Sequence, residues 1–510
     1  MPIANTTTLA NTKVTDQVTA HATAMVTALA RTLRAEMIET HISWVLLTID
    51  TAYKIKKPVR LPFVDYGTLE ARRHFCEEEL RLNRRLAPSL YLGITRITGT
   101  HQAPVLDGPE PVLEYAVRMR RFAPGALFSE QLAAGTLRAD DVDRLAALLA
   151  DFHERAPRAE AASGFANAER RRAAALAALE GVRSLASEEE LAELRAWIEA
   201  EAAALTPLWT SRKAEGRVRE CHGDLHLANV VRVDGDVLAF DCIEFDPALR
   251  WIDVLDDSAF VVMDFAAHDR RDFAFRFLNA WLDRTGDHRG LPALRFAVVY
   301  RALVRAQVAH LRGAQEETAA RRYLQTAMDW IHRREAQLLI THGLPGSGKT
   351  FASQRLLEQE GAVRLRSDVE RKRLFGVGEL EDSRAKGLNL YDAEATSRTY
   401  AHLFEVARIA LQAGYPVILD AAFLRRAERS QALTLAQALN VRFLIVVCEV
   451  PLALLRERLQ ARSGDASEAD VAVLERLLAV AEPLASDELA FMHKLAGTQA
   501  VADPESPAAA

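Results

Sequence analysis

Cysteine is scarce in this 510-residue chain: Cys76, Cys221, Cys242 and Cys448 are far apart, with no Cys-x-x-Cys pair. That argues against a disulfide framework or a zinc knuckle and leads us to expect a reduced, cytosolic protein. A surplus of basic charge is also missing. The net charge is −6, so there is no global field to gather nucleic acid or an acidic membrane, and any polyanion binding has to be local. No stretch reaches the roughly 18 uninterrupted apolar residues of a membrane span. The Thr-rich opening MPIANTTTLANTKVTDQVTA lacks the apolar core of a signal peptide, so a disordered leader is expected over 1–24 and a disordered tail over 503–510. What is present is a folding composition, 49% hydrophobic and 26% charged, on a length that calls for more than one domain.

The chain changes rhythm along its length. SWVLLTIDTAYKIKKPV (43–59) predicts a hairpin with lysines on its second strand, and TLEARRHFCEEELRLNRRLAP (68–88) predicts a helix ending before Pro88. From about 129 to 206 the pattern is helical, with a capping-box signal at Ser187 and Glu190. NVVRV and VLAFD flank Asp234-Gly235-Asp236 and predict a second hairpin, after which helices return over 251–334. From 337 onward apolar strands (QLLITH, AVRLRS, PVILDAA, RFLIVVCEV) alternate with helical segments, the signature of a parallel sheet. A boundary is expected at 333–336, with one domain over 25–333 and another over 336–502.

HGLPGSGKT (342–350) is a phosphate-binding loop between a strand and a helix. Gly343, Gly346 and Gly348 let the backbone amides wrap a phosphate, joined by Ser347. Lys349 would neutralise phosphate charge, and the Thr350 hydroxyl would hold Mg²⁺. Asp420, ending an apolar strand, is a candidate second metal carboxylate. Asp368 and Arg371 lie just past the second strand, at the sheet edge where such folds bind ligands. This part resembles P-loop kinases of small substrates, including gluconate kinase-like, zeta toxin-like and polynucleotide kinase-like proteins. The resemblance implies Asp368 as base and Arg371 as acceptor clamp. It also makes Arg456, Arg458 and Arg462 candidates for a mobile lid, with Arg462 a nucleotide contact.

CHGDLHLANVVRVDGDVLAFDCIEFD (221–246) carries Asp224, then Asn229 five residues later, then a hairpin leading to Asp241. Phosphoryl transfer needs a carboxylate to orient and deprotonate a hydroxyl, and an amide oxygen with a second carboxylate to hold Mg²⁺; these three residues fill the roles. The His-Gly-Asp form resembles the aminoglycoside phosphotransferase and choline kinase-like group. That likeness implies a phosphate-binding lysine and a helical glutamate, assigned to Lys54 (with Lys56 the alternative) and Glu79. Asp246, Asp253, Asp256, Asp257 and Asp264 could hold a cationic acceptor or simply pair with the helix dipole and Arg250. His153, His222 and His226 are expected to support the catalytic loop.

The whole order resembles bacterial bifunctional aminoglycoside phosphotransferase/ATP-binding proteins. It implies an α+β protein-kinase-like domain followed by an α/β P-loop domain with a parallel sheet, using ATP and Mg²⁺ on small hydroxyl-bearing acceptors. The alternatives are a polynucleotide 5′-hydroxyl kinase, favoured by Arg364, Arg366, Arg371, Lys372 and Arg373, and an ATP-binding regulator with one inactive domain.

Overall fold

The computed structural model describes residues 20–493 apart from 62–63, 380, 387, 389 and 462–466. The lid arginine Arg462 and the tail 503–510 lie outside the described residues. Residues 20–24, expected in the leader, are instead the first turn of a helix over 20–33. Its apolar stripe explains the difference: Met25, Val26 and Leu29 pack with Trp44, Leu46, Ile55 and Ile97 in one core cluster. Each such side chain withdrawn from water contributes about 1.5–3 kcal/mol before ordering entropy is counted.

By its contacts the chain forms two compact units, Met1–Arg170 with Thr210–Val261, and Arg171–Trp209 with Val262–Ala510. The first contains a six-stranded antiparallel sheet in the order Glu36–Glu39, Ser43–Leu47, Thr51–Lys56, Val112–Arg120, Tyr91–Gly99, Pro104–Leu106. The predicted hairpin is its second and third strands, paired from Ser43↔Lys56 to Leu47↔Ala52. Strand alternation sends Ile55 to the core under the 20–33 helix and turns Lys54 and Lys56 to the opposite face. There they meet the helix Leu69–Asn83, which Thr68 caps by accepting from the Ala71 amide. The second predicted hairpin is Val230–Val233 with Asp236–Ala239, turning through Asp234 and Gly235 at positive φ. The helical block is also present, and Ser187 and Glu190 make the reciprocal capping bonds.

The second unit holds a parallel sheet in the order Val363–Arg366, Val417–Asp420, Gln337–His342, Arg442–Val447, Met492–His493. Four of these strands follow from apolar runs in the sequence. The fifth is two residues long, too short to leave a pattern. The unit also includes the helices Arg271–Thr285, Leu291–Leu311 and Glu317–His332, which precede the boundary expected at 333–336. One contact that holds them to the sheet is at its edge. Val363–Arg366 is an outer strand, and buried Asn279 closes it as another strand would. Its Nδ2 donates to the Ala362 carbonyl at 2.8 Å, and its Oδ1 accepts from the Arg364 amide at 2.6 Å. Arg276 reaches Glu358 at 2.8 Å beside it, and Arg295 donates to the Ala413 carbonyl at 3.3 Å.

Replacing Asn279 with Ala leaves that amide and that carbonyl buried without partners. The expected loss is about 2–4 kcal/mol of the second unit's stability, read from urea unfolding of the full chain.

Candidate functional site

Two sites emerge, one in each unit. In the first, the segment after the strand Val218–Glu220 turns through Gly223, whose φ of +89° and 2.7 Å distance from a would-be Cβ to the Leu249 carbonyl admit only glycine. The turn presents Asp224, half-buried, with His226 Nε2 at 3.5 Å from its Oδ2. Asn229 donates from Nδ2 to the Asp224 carbonyl at 2.8 Å and stands 3.3 Å from Asp224 Oδ2. Its amide oxygen is thereby turned away from Asp224. Asp241 follows the hairpin in a left-handed conformation (φ +64°), its amide donating to the Tyr91 hydroxyl at 3.2 Å. Its carboxylate is the open one of the group, 43% exposed, and Lys54 hydrogen-bonds to it. Lys54 also lies 3.0 Å from Glu79, which is fully buried.

Lys54, Glu79 and Asp241 thus stand together, as do Asp224 and Asn229, and the two groups are joined through the backbone, where the Phe240 amide beside Asp241 donates to the Asn229 carbonyl at 3.0 Å. Of the two candidate lysines, Lys54 is the one on Asp241, whereas Lys56 is buried between Glu79 and Glu244. Asp241 and Asn229 each offer an oxygen of the kind that could hold Mg²⁺.

The loop is braced from behind by Asp257. Its Oδ2 accepts from the His222 amide at 3.1 Å and lies 3.1 Å from His153 Nε2, and its Oδ1 accepts from the Gly223 amide at 2.9 Å. Burial alone would raise this carboxyl; the bonds from His153 and Gly223, with the neighbouring His222, hold it down at about 2. Burial pushes the His222 imidazole below its ordinary range, and its Nε2 lies 2.9 Å from the Phe240 carbonyl. The acidic run therefore works inside the fold. Asp253 pairs with Arg212 through two 2.7 Å bonds, Asp246 caps a short helix, and Asp264 accepts from the Tyr323 hydroxyl at 2.7 Å. Arg250 pairs with Glu220 at 3.2 Å rather than with the aspartates. Sequence reasoning also overlooked Cys221 beside His153 and Asp257, the three offering ligand atoms within 4.8 Å. The oxygens of Asp257 are already engaged, and burial pushes the Cys221 thiol far up, which disfavours a metal there.

In the second unit a cavity of about 670 Å³ is lined by Gly346, Gly348, Lys349, Thr350, Asp368 and Asp420 among others. A Cβ at Gly343 would lie 2.3 Å from the Cys448 carbonyl, so the loop depends on glycine there. Lys349 donates to the Leu344 carbonyl at 2.9 Å, and the buried Ser347 hydroxyl has no hydrogen-bond partner among the described residues. An unpaired donor in a glycine loop ahead of the helix Lys349–Glu360 suits a phosphate. Asp420 accepts from the Ser353 hydroxyl at 2.9 Å. Across the cavity, Asp368 pairs with Arg371 at 2.8 Å, and Arg371 lies over the Tyr391 ring at 4.8 Å. Burial would raise Asp368, but the Arg371 charge keeps it below the ordinary carboxylate range. Arg458 donates to the Gly346 carbonyl at 3.3 Å, whereas Arg456 makes a surface pair with Glu475. Ser353 and Tyr391 left no signal in the sequence.

Residues 73–297 match the "Phosphotransferase enzyme family" and residues 338–484 match an "AAA domain". The fold and sites thus define an ATP-dependent kinase, a protein-kinase-like phosphotransferase fold followed by a P-loop kinase-like domain. Uncharacterized proteins of Mycobacterium tuberculosis H37Rv and Mycobacterium bovis are each 30% identical to it over 453 residues, covering 86% of this chain and 89% of theirs. The chain belongs to the family of these mycobacterial proteins. Among solved structures, the amicoumacin kinase hAmiN is 14% identical (TM-score 0.35; 58% of this chain, 88% of that one). A choline kinase from Cryptosporidium parvum is 12% identical (TM-score 0.37; 58% and 88%), and a gluconokinase from Sinorhizobium meliloti 17% identical (TM-score 0.24; 33% and 86%). Among the described residues no helix is long and apolar enough to cross a membrane.

Because Asp257 is held at about 2, its contribution to stability is present above the unfolded carboxylate value near 4 and is lost as pH falls towards 2. Asp257→Asn is expected to flatten the acid limb of stability by roughly 2–3 kcal/mol, measured by urea unfolding between neutral pH and about pH 3.

Proposed function

We propose that both sites turn over, each passing the γ-phosphate of Mg-ATP to a hydroxyl of a small molecule. What supports this is the duplication itself: each unit has its own lysine together with carboxylates and amide or hydroxyl oxygens of the kinds that phosphoryl transfer uses. In the first, Asp224 orients the acceptor hydroxyl and takes its proton, Lys54 meets the nucleotide phosphates, and Asn229 and Asp241 hold Mg²⁺. In the second, the loop amides and Lys349 hold the phosphates, Thr350 and Asp420 hold the metal, Asp368 serves as base and Arg371 clamps the acceptor. When bound, the metal ion offsets the charge on the transferring phosphoryl group.

Small acceptors are favoured over a polynucleotide by what the basic cluster does. Arg364 pairs with Asp283 at 3.4 Å, Arg366 with Glu379 at 3.3 Å, Arg371 with Asp368 at 2.8 Å, Lys372 with Glu468 at 3.0 Å and Arg373 with Glu370. Charges answered within the fold release few counterions on meeting a phosphate backbone.

Asp224→Asn should abolish transfer by the first site, at least 10²-fold by the usual weight of a positioned base, and leave Mg-ATP binding near wild type. Untargeted detection of a metabolite that gains one phosphate supplies the readout, and near-normal turnover would refute the assignment. Calorimetry should count two Mg-ATP per wild-type chain, one in Lys349→Ala, one in Asp241→Ala and none in the double variant. Lys349→Ala should also slow transfer at the second site on the order of 10³-fold. A wild-type stoichiometry of one would leave a single working site.

A further inference from the structure

Lys54 and Lys56 share one face of their strand, yet their surroundings differ. Lys56 is 1% exposed, with Glu79 Oε2 at 2.7 Å and a hydrogen bond to Glu244. The Tyr66 hydroxyl donates to Glu244 at 2.6 Å, and its ring lies 5.0 Å below the ammonium. Lys54 hydrogen-bonds to Asp241 and also lies 3.0 Å from Glu79 Oε1, while Lys56 donates to the other oxygen of that carboxylate at 2.7 Å. The five side chains form a closed ladder, Asp241, Lys54, Glu79, Lys56, Glu244, whose two ends lie three residues apart in one loop.

We infer that Lys56 and Glu244 are positioning residues of the first site: they hold Glu79 without help from Lys54, so that Lys54 can pass from Asp241 to a nucleotide phosphate. The inference rests on the reading of Lys54 and Asp241 as nucleotide- and metal-binding residues.

A buried glutamate with a single lysine partner is left uncompensated when that lysine moves, which is costly in an apolar surrounding. Here Glu79 retains Lys56. Burial would raise Glu79, but the two ammonium groups hold it at about 2, so it stays ionised and keeps attracting whichever lysine is near. Lys56 in turn needs Glu244, since one carboxylate shared by two lysines leaves an excess positive charge inside the fold. One consequence concerns the order of loading. The Lys54 ammonium lies on Asp241, so a divalent cation arriving alone competes with it, whereas phosphate oxygens draw the ammonium away and open the carboxylate.

The test uses the full chain carrying Lys349→Ala, so that only the first site loads nucleotide. Mn²⁺ binding without nucleotide is followed by electron paramagnetic resonance, Mg-ADP binding by calorimetry, and folding by thermal melting. Lys56→Met with Glu244→Gln removes one charge of each sign. With Lys56 gone, Glu79 draws Lys54 off Asp241 and keeps it. Mn²⁺ alone should then bind about tenfold more tightly and Mg-ADP about tenfold more weakly. If both affinities fall together, or neither moves, in a variant that melts like its parent, the pair is only structural and the inference fails. Should the double variant not fold, Tyr66→Phe, which removes just the hydroxyl that donates to Glu244 and accepts from Lys56 at 3.4 Å, should give the same opposed shifts at about two- to threefold; parallel or absent shifts overturn the inference equally. Asp241→Ala in the same background separates the underlying reading, because unchanged Mg-ADP affinity there would show that the first site does not bind nucleotide as proposed.

Discussion

An ionised group taken out of water must meet its opposite, and both sites are shaped by that requirement. Moving a carboxylate into the interior costs several kcal/mol unless charge and hydrogen bonds answer it. Glu79 and Asp257 have side chains with no exposed surface, and each is answered from several directions at once. Meeting the demand of Asp257 fixes the backbone at His222 and Gly223, and so the direction in which Asp224 points. The demand of Glu79 joins a strand, a helix and the loop after Asp241. In the second unit buried Glu370 is met by Arg373 and by His402 at 2.9 Å, which anchors the short helix carrying Asp368 and Arg371.

The two sites position their carboxylates differently. Asp224 stands on a turn whose shape comes from hydrogen bonds to neighbouring backbone, so its placement depends on side chains remote in sequence. Asp368 sits in the first turn of the helix Ser367–Leu374, three residues from its arginine partner, so a single helical turn sets the pair. Local geometry supports the second site where tertiary geometry supports the first.

What could be read in advance follows that division. The phosphate loop, the Asp224 to Asn229 spacing and Asp368 with Arg371 are short-range patterns, and the family likeness, which asks for a glutamate on the helix after the lysine strand, led to Glu79. Contacts between distant segments left no such trace. Lys54 reaches Asp241 across 187 positions, and nothing in AYKIKKPV tells which lysine does so. Nothing in the 221–246 stretch singled out Glu244. The aspartates from 246 onward had left both an acceptor surface and internal pairing open, because a sequence shows charge but not its partner; Arg212, which pairs with Asp253, and Tyr323, which pairs with Asp264, lie about 40 and 60 positions away. The sheet and helix patterns were legible for the opposite reason, since period-two and helical spacing are written in adjacent residues.

The closure of the outer strand by Asn279 bears on how such a chain can be recombined. Asn279 belongs to the stretch that matches the phosphotransferase family, while the backbone groups it satisfies belong to the stretch that matches the AAA domain. The inherited segments and the packed units therefore have different borders. A chimera joined at 333–336 would confront this amide with a foreign strand, whose carbonyl and N–H must fall at the same two places. Grafting a P-loop segment from a relative thus calls for moving the junction upstream of 271, so that the strand travels with the helix that covers it.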